Sequence, residues 1–295
     1  MILLTGATGF VGTHLLKALL EKGYKIRALI LPDEQIPFDE TNLEWIRGDI
    51  RDKESLRNCF SGISMVLHMA GVVASPDKDL TFSVNFDGTR NLVDLSIENK
   101  VNRFLFMSAA AAKFKHLNAY GQSKKMAEDY LISSGIPYVL LRTPLIIGKG
   151  GYEFERFVEY VNKLPCFVIV FGDGKSIKRP IYIGDVTFAV LKLLESKKPD
   201  NKIYEIACKG KFTLNEFVDV ISSCYSGKKK IKFHIPLKFS LLIAVVLERL
   251  LLDRSPVTRD MLLGLNEDVD FNVNRSLNEL GLTPLEMPDA VLKCL

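Results

Sequence analysis

Tyr120 and Lys124 stand four residues apart in Tyr120-Gly121-Gln122-Ser123-Lys124, inside a stretch whose pattern predicts a helix over 119–134. Both side chains then share one face of that helix. A free phenol has a pKa of about 10 and is a poor base near neutrality. A neighbouring ammonium favours the phenolate and so lowers that pKa. The pair is therefore a candidate for acid–base work at a substrate oxygen. The spacing alone is weak, because such pairs arise often on exposed helices. Its weight comes from a second constellation upstream.

That constellation is Thr5-Gly6-Ala7-Thr8-Gly9-Phe10-Val11-Gly12. A strand is expected at Met1–Thr5 and a helix at 11–22, with Val11, Leu15, Ala18 and Leu19 on one face. Gly6 permits a tight turn, Gly9 lets the backbone approach a pyrophosphate, and Gly12 lets the helix pack closely on the strand. The helix N-terminus offers amide donors and a partial positive charge to phosphates. Residues 5–12, with Thr8, Phe10 and Val11 between the glycines, are thus the expected seat of a dinucleotide, NAD or NADP.

The elements that must position these groups follow a regular alternation. Strands are expected at Met1–Thr5, Lys25–Leu31, Leu43–Arg47, Ser64–His68, Arg103–Ser108 and Pro137–Arg142, with helices near 11–22, 53–60, 79–99 and 119–134. This is the pattern of an α/β fold: a doubly wound parallel Rossmann sheet with a smaller, mostly helical C-terminal substrate lobe. The Rossmann domain is expected over 1–148, completed by about 181–207, with 149–180 and 208–295 forming the lobe. A net charge of +4 over 295 residues is no nucleic-acid footprint. Five scattered cysteines without a C-x-x-C pair argue against a zinc site or a disulfide framework, so no metal is expected. The chain opens directly on a strand, so no secretory signal is expected and a cytoplasmic location is inferred.

In order along the chain come TGATGFVG, GDIRD (Gly48–Asp52), HMAG (His68–Gly71), VNFDGTRN (Val84–Asn91), YGQSK and RPIYIGDV (Arg179–Val186). Together they resemble the extended and atypical short-chain dehydrogenase/reductases, which include the NAD-dependent sugar-nucleotide epimerase/dehydratases, over roughly residues 1–210. The SAAAA segment with YGQSK and a helical tail looks most like the atypical branch that includes the nucleotide-binding accessory subunit of respiratory complex I. The resemblance implies that Asp49 and Ile50 hold the adenine. It also implies that Ala70, Gly71 and Val72 pass beside the phosphates and ribose, and that Pro144 joins the cofactor contacts. Lys124 would hold the nicotinamide ribose and favour the Tyr120 phenolate together with the positive nicotinamide ring, so that Tyr120 moves a proton at a substrate hydroxyl or carbonyl while hydride is exchanged. Arg179 would meet a substrate's phosphates, unless it is a surface charge beside Lys178. His68, at the end of a buried strand, reads as a packed histidine.

Catalytic members of that family usually carry two serines or Thr-Ser-Ser where this chain has Met107-Ser108-Ala109. The residue that bonds the reacting oxygen aligns with Ala109, and eleven residues separate Ser108 from Tyr120. Either Ser108 takes the role through a shifted backbone, or that partner is missing, a loss of about 10²–10³ in rate. At the end of the second strand neither a ribose-binding acid nor an arginine is evident at Ile30 and Leu31; Asp33 is a vote for NAD, and Arg27 lies too early to assign. Asp185 is expected to be a helix N-cap. Lys228-Lys229-Lys230-Ile231-Lys232, followed by an apolar helix over 235–252, is either a buried helix closing the lobe or a peripheral membrane contact through 228–252.

The sequence therefore points to an NAD(P)-dependent oxidoreductase or epimerase-like enzyme. Tyr120, Lys124 and Ser108 are its catalytic candidates, and its substrate is a small molecule such as a sugar nucleotide or a lipophilic alcohol. The alternative is a cofactor-binding structural or assembly protein without turnover.

Overall fold

Strand β1 (Ile2–Thr5) has every residue buried, so it must lie inside a sheet covered on both faces. The chain alternates from there: α1 (Phe10–Glu21), β2 (Ile26–Ile30), β3 (Leu43–Arg47), β4 (Met65–His68), α2 (Lys78–Phe82), a π-helical turn at Ser83–Asp87, α3 (Gly88–Glu98), β5 (Arg103–Ala109), α4 (Ala119–Ser133) and β6 (Tyr138–Thr143). There follow β7 (Ile146–Ile147), α5 (Tyr152–Asn162), β8 (Phe167–Phe171), β9 (Ile177–Lys178), β10 (Ile181–Tyr182), α6 (Ile183–Glu195) and β11 (Lys202–Glu205). The last part holds β12 (Phe212–Thr213), α7 (Leu214–Ser226), β13 (Ile231–Ile235), α8 (Leu237–Leu251), α9 (Arg259–Asn266), α10 (Val273–Leu280) and α11 (Met287–Leu292). The computed structural model describes residues 1–73, 75–196, 201–251 and 257–294.

Seven parallel strands form the central sheet in the order β3-β2-β1-β4-β5-β6-β11. The order turns back between β1 and β4, which opens a crevice at their carboxyl ends. The glycine loop after β1 and the His68–Gly71 segment after β4 both lie there. The six strands expected from the sequence each match within a residue.

Two apolar layers cover the sheet. One includes Leu15, Leu19, Val186 and Val190 of α1 and α6; the other includes Leu92, Leu95, Ala127 and Leu131 of α3 and α4. A third cluster lies among Phe154, Val158, Val170, Phe217, Ile221 and Val291. The lobe expected over 208–295 is not wholly separate. Val269, Phe271, Val273, Leu277, Leu280 and Leu282 join the layer with α6, so this stretch packs back on the sheet.

Ile181–Ile183 does not extend the central sheet. Only Ile181 and Tyr182 are extended, paired with Ile146 and Ile147, because α6 starts at once at Ile183. Asp185 consequently falls inside the first turn, and Tyr182 is the N-cap. The Asp185 carboxylate accepts from the Leu285 amide at 2.9 Å, tying the approach to α11 rather than capping its own helix.

Candidate functional site

The glycine loop has the geometry its residue types demand. Gly6 has φ +70°, and a Cβ there would lie 2.6 Å from the Ala70 amide nitrogen. A Cβ on Gly12 would lie 1.8 Å from the Gly6 carbonyl oxygen, so α1 packs directly on the turn. Gly9 is different: it is exposed, and its Cβ would meet only that same oxygen, at 3.3 Å. Gly9 is also the N-cap of α1, which has neither a side-chain cap nor an acid in its first turn. The first-turn amides of Phe10, Val11 and Gly12 therefore lack an intrahelical acceptor and face a cradle without side chains. Phosphates of a dinucleotide fit that cradle. Val11 packs on the core, and the Phe10 ring closes over Gly148 and Gly151, where added Cβ atoms would come within 2.9 and 3.1 Å of it.

At the carboxyl end of β2 the structure reveals an acid that the sequence reading passed over. The Glu34 carboxylate accepts from the Leu31 amide at 3.2 Å and from the Thr8 hydroxyl at 3.4 Å, which brings it beside the glycine loop. Its signal was distance along the chain, since it follows Gly12 by about the interval at which a ribose-binding acid occurs. Asp33, next to it, is exposed. Arg27 is occupied elsewhere, bonded to Glu44 and to the carbonyls of Cys59 and Ser61.

Asp49 bonds Arg51 in a 2.6 Å ion pair that holds its carboxyl below the usual range, and its amide donates to Ser55. Ile50 is buried against Gly88 of α3. Across the crevice, Asn85 in the π-helical turn clamps the 70–72 loop. Its side chain accepts from the Val72 amide and donates to the Val72 carbonyl, both at 2.8 Å, and it also donates to Ser123 of α4. His68 is a packed histidine, bonded to Thr5 and Thr89 and stacked on Phe106; burial drives its pKa well down. Pro144 is half-buried between β6 and β7.

Lys124 reaches into this crevice. Its Nζ donates to the Met107 carbonyl at 3.0 Å and lies 4.7 Å from the centre of the Phe106 ring. A Cβ on Gly71 would come 3.2 Å from that Nζ, so the glycine makes room for the ammonium beside the loop. Burial lowers the Lys124 pKa to about 8, against the pull of Glu128. Tyr120 lies one helical turn earlier. Burial raises its pKa, and Glu153 at the start of α5 raises it further. The expected lowering by Lys124 is not seen: burial and Glu153 both act upward on the phenol, and the ammonium is engaged at Met107.

Ser108 does not take the missing serine's place. Its hydroxyl donates to buried Glu128 at 2.5 Å, and Glu128 is gripped by two nitrogens of Arg142 at 2.9 and 2.6 Å. That hydroxyl belongs to a buried ionic network one turn beyond Lys124. Arg179 is likewise neither a phosphate ligand nor a surface charge. It is buried, and its guanidinium donates to the carbonyls of Cys208 at 3.1 and 2.7 Å, Phe271 at 2.7 Å and Lys209 at 3.3 Å. It fastens the returning 269–282 segment to the end of β11.

Sheet order, glycine cradle and buried lysine define a Rossmann-type dinucleotide-binding protein. The model of the NAD dependent epimerase/dehydratase family matches residues 2–207, and the chain belongs to that family. The chain is similar to a ceramide reductase of Caulobacter vibrioides (30% identity, over 58% of this chain and 54% of that protein). It is also similar to NADH dehydrogenase [ubiquinone] 1 alpha subcomplex subunit 9 of Dictyostelium discoideum (24% identity, over 98% and 82%). A UDP-glucose 4-epimerase of Thermotoga maritima, solved with UDP-glucose, shares the fold at a TM-score of 0.74 (22% identity, covering 99% and 96%).

Proposed function

We propose that the chain binds NAD along the glycine loop and acts as an oxidoreductase at a hydroxyl or carbonyl carbon. A nicotinamide dinucleotide, when bound, supplies or accepts the hydride. Residues 6–12 would hold its phosphates, Glu34 a ribose hydroxyl, Asp49 and Ile50 the adenine, and the 70–72 loop with Pro144 the remaining contacts. Glu34 favours NAD over NADP, because a carboxylate repels a 2′-phosphate. Lys124 is the observation that carries the reading. An ammonium desolvated enough to titrate near 8, set against a loop that a glycine keeps open, is costly unless it serves a ligand.

Tyr120 passes the proton at the substrate oxygen. Burial keeps the phenol protonated near neutral pH, which poises it to donate as a carbonyl becomes an alcohol. Of the two substrate classes, a lipophilic one is favoured. Arg179 is buried and commits four of its five N–H donors to backbone carbonyls, which leaves little for a sugar nucleotide's phosphates.

The test is oxidation of NADH, followed by loss of its absorbance, against long-chain ketones, sterol ketones and UDP-4-ketosugars. The expected result is turnover with a lipophilic ketone that falls about 10²–10⁴-fold in Tyr120→Phe, with NADH affinity retained. Turnover undiminished in Tyr120→Phe would contradict the assignment. A second reading, a cofactor-binding protein without turnover, is favoured by Ala109 and by the engagement of Ser108 with Glu128. Tight NADH binding with no oxidation of any of these substrates would establish it instead.

A further inference from the structure

Helix α8 is packed the wrong way round for a core helix. The residues it buries are small, Ser240 and Ala244, whereas its large apolar side chains point outward. Phe239 (64% exposed), Leu242 (63%), Ile243, Val246 and Leu250 (74%) recur at the spacing of one helical face. The strand leading into it, β13, adds Ile231 and Phe233 as further exposed apolar residues. The ionised groups complete the pattern. Lys238 and Arg249 are exposed near the two ends of the stripe. The helix's one acid, Glu248, is held by the side chain and amide of Arg259 at 2.7 and 2.6 Å. Its outward face is thus large and apolar, and the exposed ionised residues of the helix are the two cations Lys238 and Arg249.

We propose that α8 docks this protein on an anionic lipid surface, lying in the plane of the interface with its stripe among the acyl chains and Lys238 and Arg249 at the headgroups. Residues 239–250 extend roughly 17 Å along the helix axis. No helix among the described residues is long and apolar enough to cross a membrane, which fits a helix that lies on the surface. A second copy is a poorer occupant. A two-fold contact between antiparallel α8 helices would set Lys238 near the partner's Arg249, while the helix's own acid, Glu248, is already held by Arg259. The lysine run contributes less than its sequence implies. Lys230 is buried, donating to the carbonyls of Val161 and Leu164 and to Asn162, and Lys232 is paired with Asp219. Leu252, at the end of the expected apolar stretch, lies outside the described residues.

Docking there would bring the lipid surface close to the Tyr120 region. Helix α8 packs on α9, and Glu267, immediately after α9, accepts from the amides of Lys115 and His116 and bonds the His116 ring at 2.6 Å, just ahead of α4.

The experiment is co-sedimentation of the full chain with phosphatidylcholine vesicles containing or lacking phosphatidylserine. Wild type is expected to pellet with the anionic vesicles and to bind the neutral ones far more weakly. Val246→Asp should stay in the supernatant, and Lys238→Gln/Arg249→Gln should partition roughly thirtyfold less. Both variants should keep the wild-type melting temperature and NADH affinity. The double variant alters only exposed side chains, so it decides the matter even if Val246→Asp fails to fold. Wild type remaining in solution at low salt overturns the proposal, as does unchanged partitioning of the double variant. Sedimentation velocity showing a dimer that Val246→Asp dissolves would also overturn it, assigning the face to self-association.

Discussion

Helix α4 buries two charged side chains one turn apart, and the protein treats them in opposite ways. Glu128 is surrounded by partners: Ser108, the Nε and one terminal nitrogen of Arg142 and, through the other terminal nitrogen, Glu205 with Lys113. Burial works against the Arg142 charge, yet its bonds to Glu128 and Glu205 outweigh burial and raise its pKa. Lys124 is equally enclosed but donates to a single carbonyl, lies over an aromatic ring, and is lowered to about 8. A satisfied buried charge holds β5, β6 and β11 in register. A poorly satisfied one is a standing cost, and costs of that kind collect where a ligand completes the set of partners. The contrast supports the proposed placing of Lys124 in the site, and of Glu128 in the scaffold, without reference to any relative.

Removing a member of each set should therefore move stability in opposite directions. Glu128→Ala leaves Arg142 and Ser108 without their main partner in the interior and should cost about 3–5 kcal/mol. Chemical denaturation would show it as a lowered midpoint at constant slope, and an unchanged midpoint would mean the network is idle. Lys124→Met should instead stabilise the protein near neutral pH. A shift from 10.5 to about 8 corresponds to about 3 kcal/mol, less about 1 for the bond to Met107. The pH dependence carries the sign. Below pH 8 folded and unfolded wild type both hold the proton, and the folded state bears the full penalty. Between 8 and 10.5 the folded state has released its proton while the unfolded state keeps it, so wild-type stability rises with pH. The advantage of Lys124→Met should shrink across that window, and parallel stability curves would contradict the buried ammonium.

The smallest effect concerns the missing hydroxyl. Ala109→Ser, at the last residue of β5, should raise turnover about tenfold, short of the 10²–10³ of an evolved donor. An unchanged rate with full NADH affinity would place the limit elsewhere.

The sequence made legible those features whose causes are local. The glycine loop states its own requirements within eight residues, and the apolar strand runs announce a two-sided sheet. Tyr120 and Lys124 share a face by helical geometry alone. The fates of Ser108 and Arg179 were not legible, because they depend on partners 20 and 92 residues away, Glu128 and Phe271. The apolar residues of α8 wrap most of the helix, so periodicity could not choose a buried face. The structure chose the side bearing Ser240 and Ala244. Glu34 was not legible either, because it lies beyond the strand's last residues and only the turn of the chain after β2 brings that acid to Thr8.

Calorimetric titration of NADH into wild type and Gly9→Val tests the central claim most directly. Gly9 is exposed, has φ −77°, and its Cβ would meet only one backbone oxygen, so valine should fold there while placing two methyls in the phosphate cradle. The account predicts saturable one-site binding to wild type and its loss, by about 10²-fold or more, in a Gly9→Val protein with a normal melting curve. Equal affinity in the two folded proteins would mean the dinucleotide does not lie on this loop.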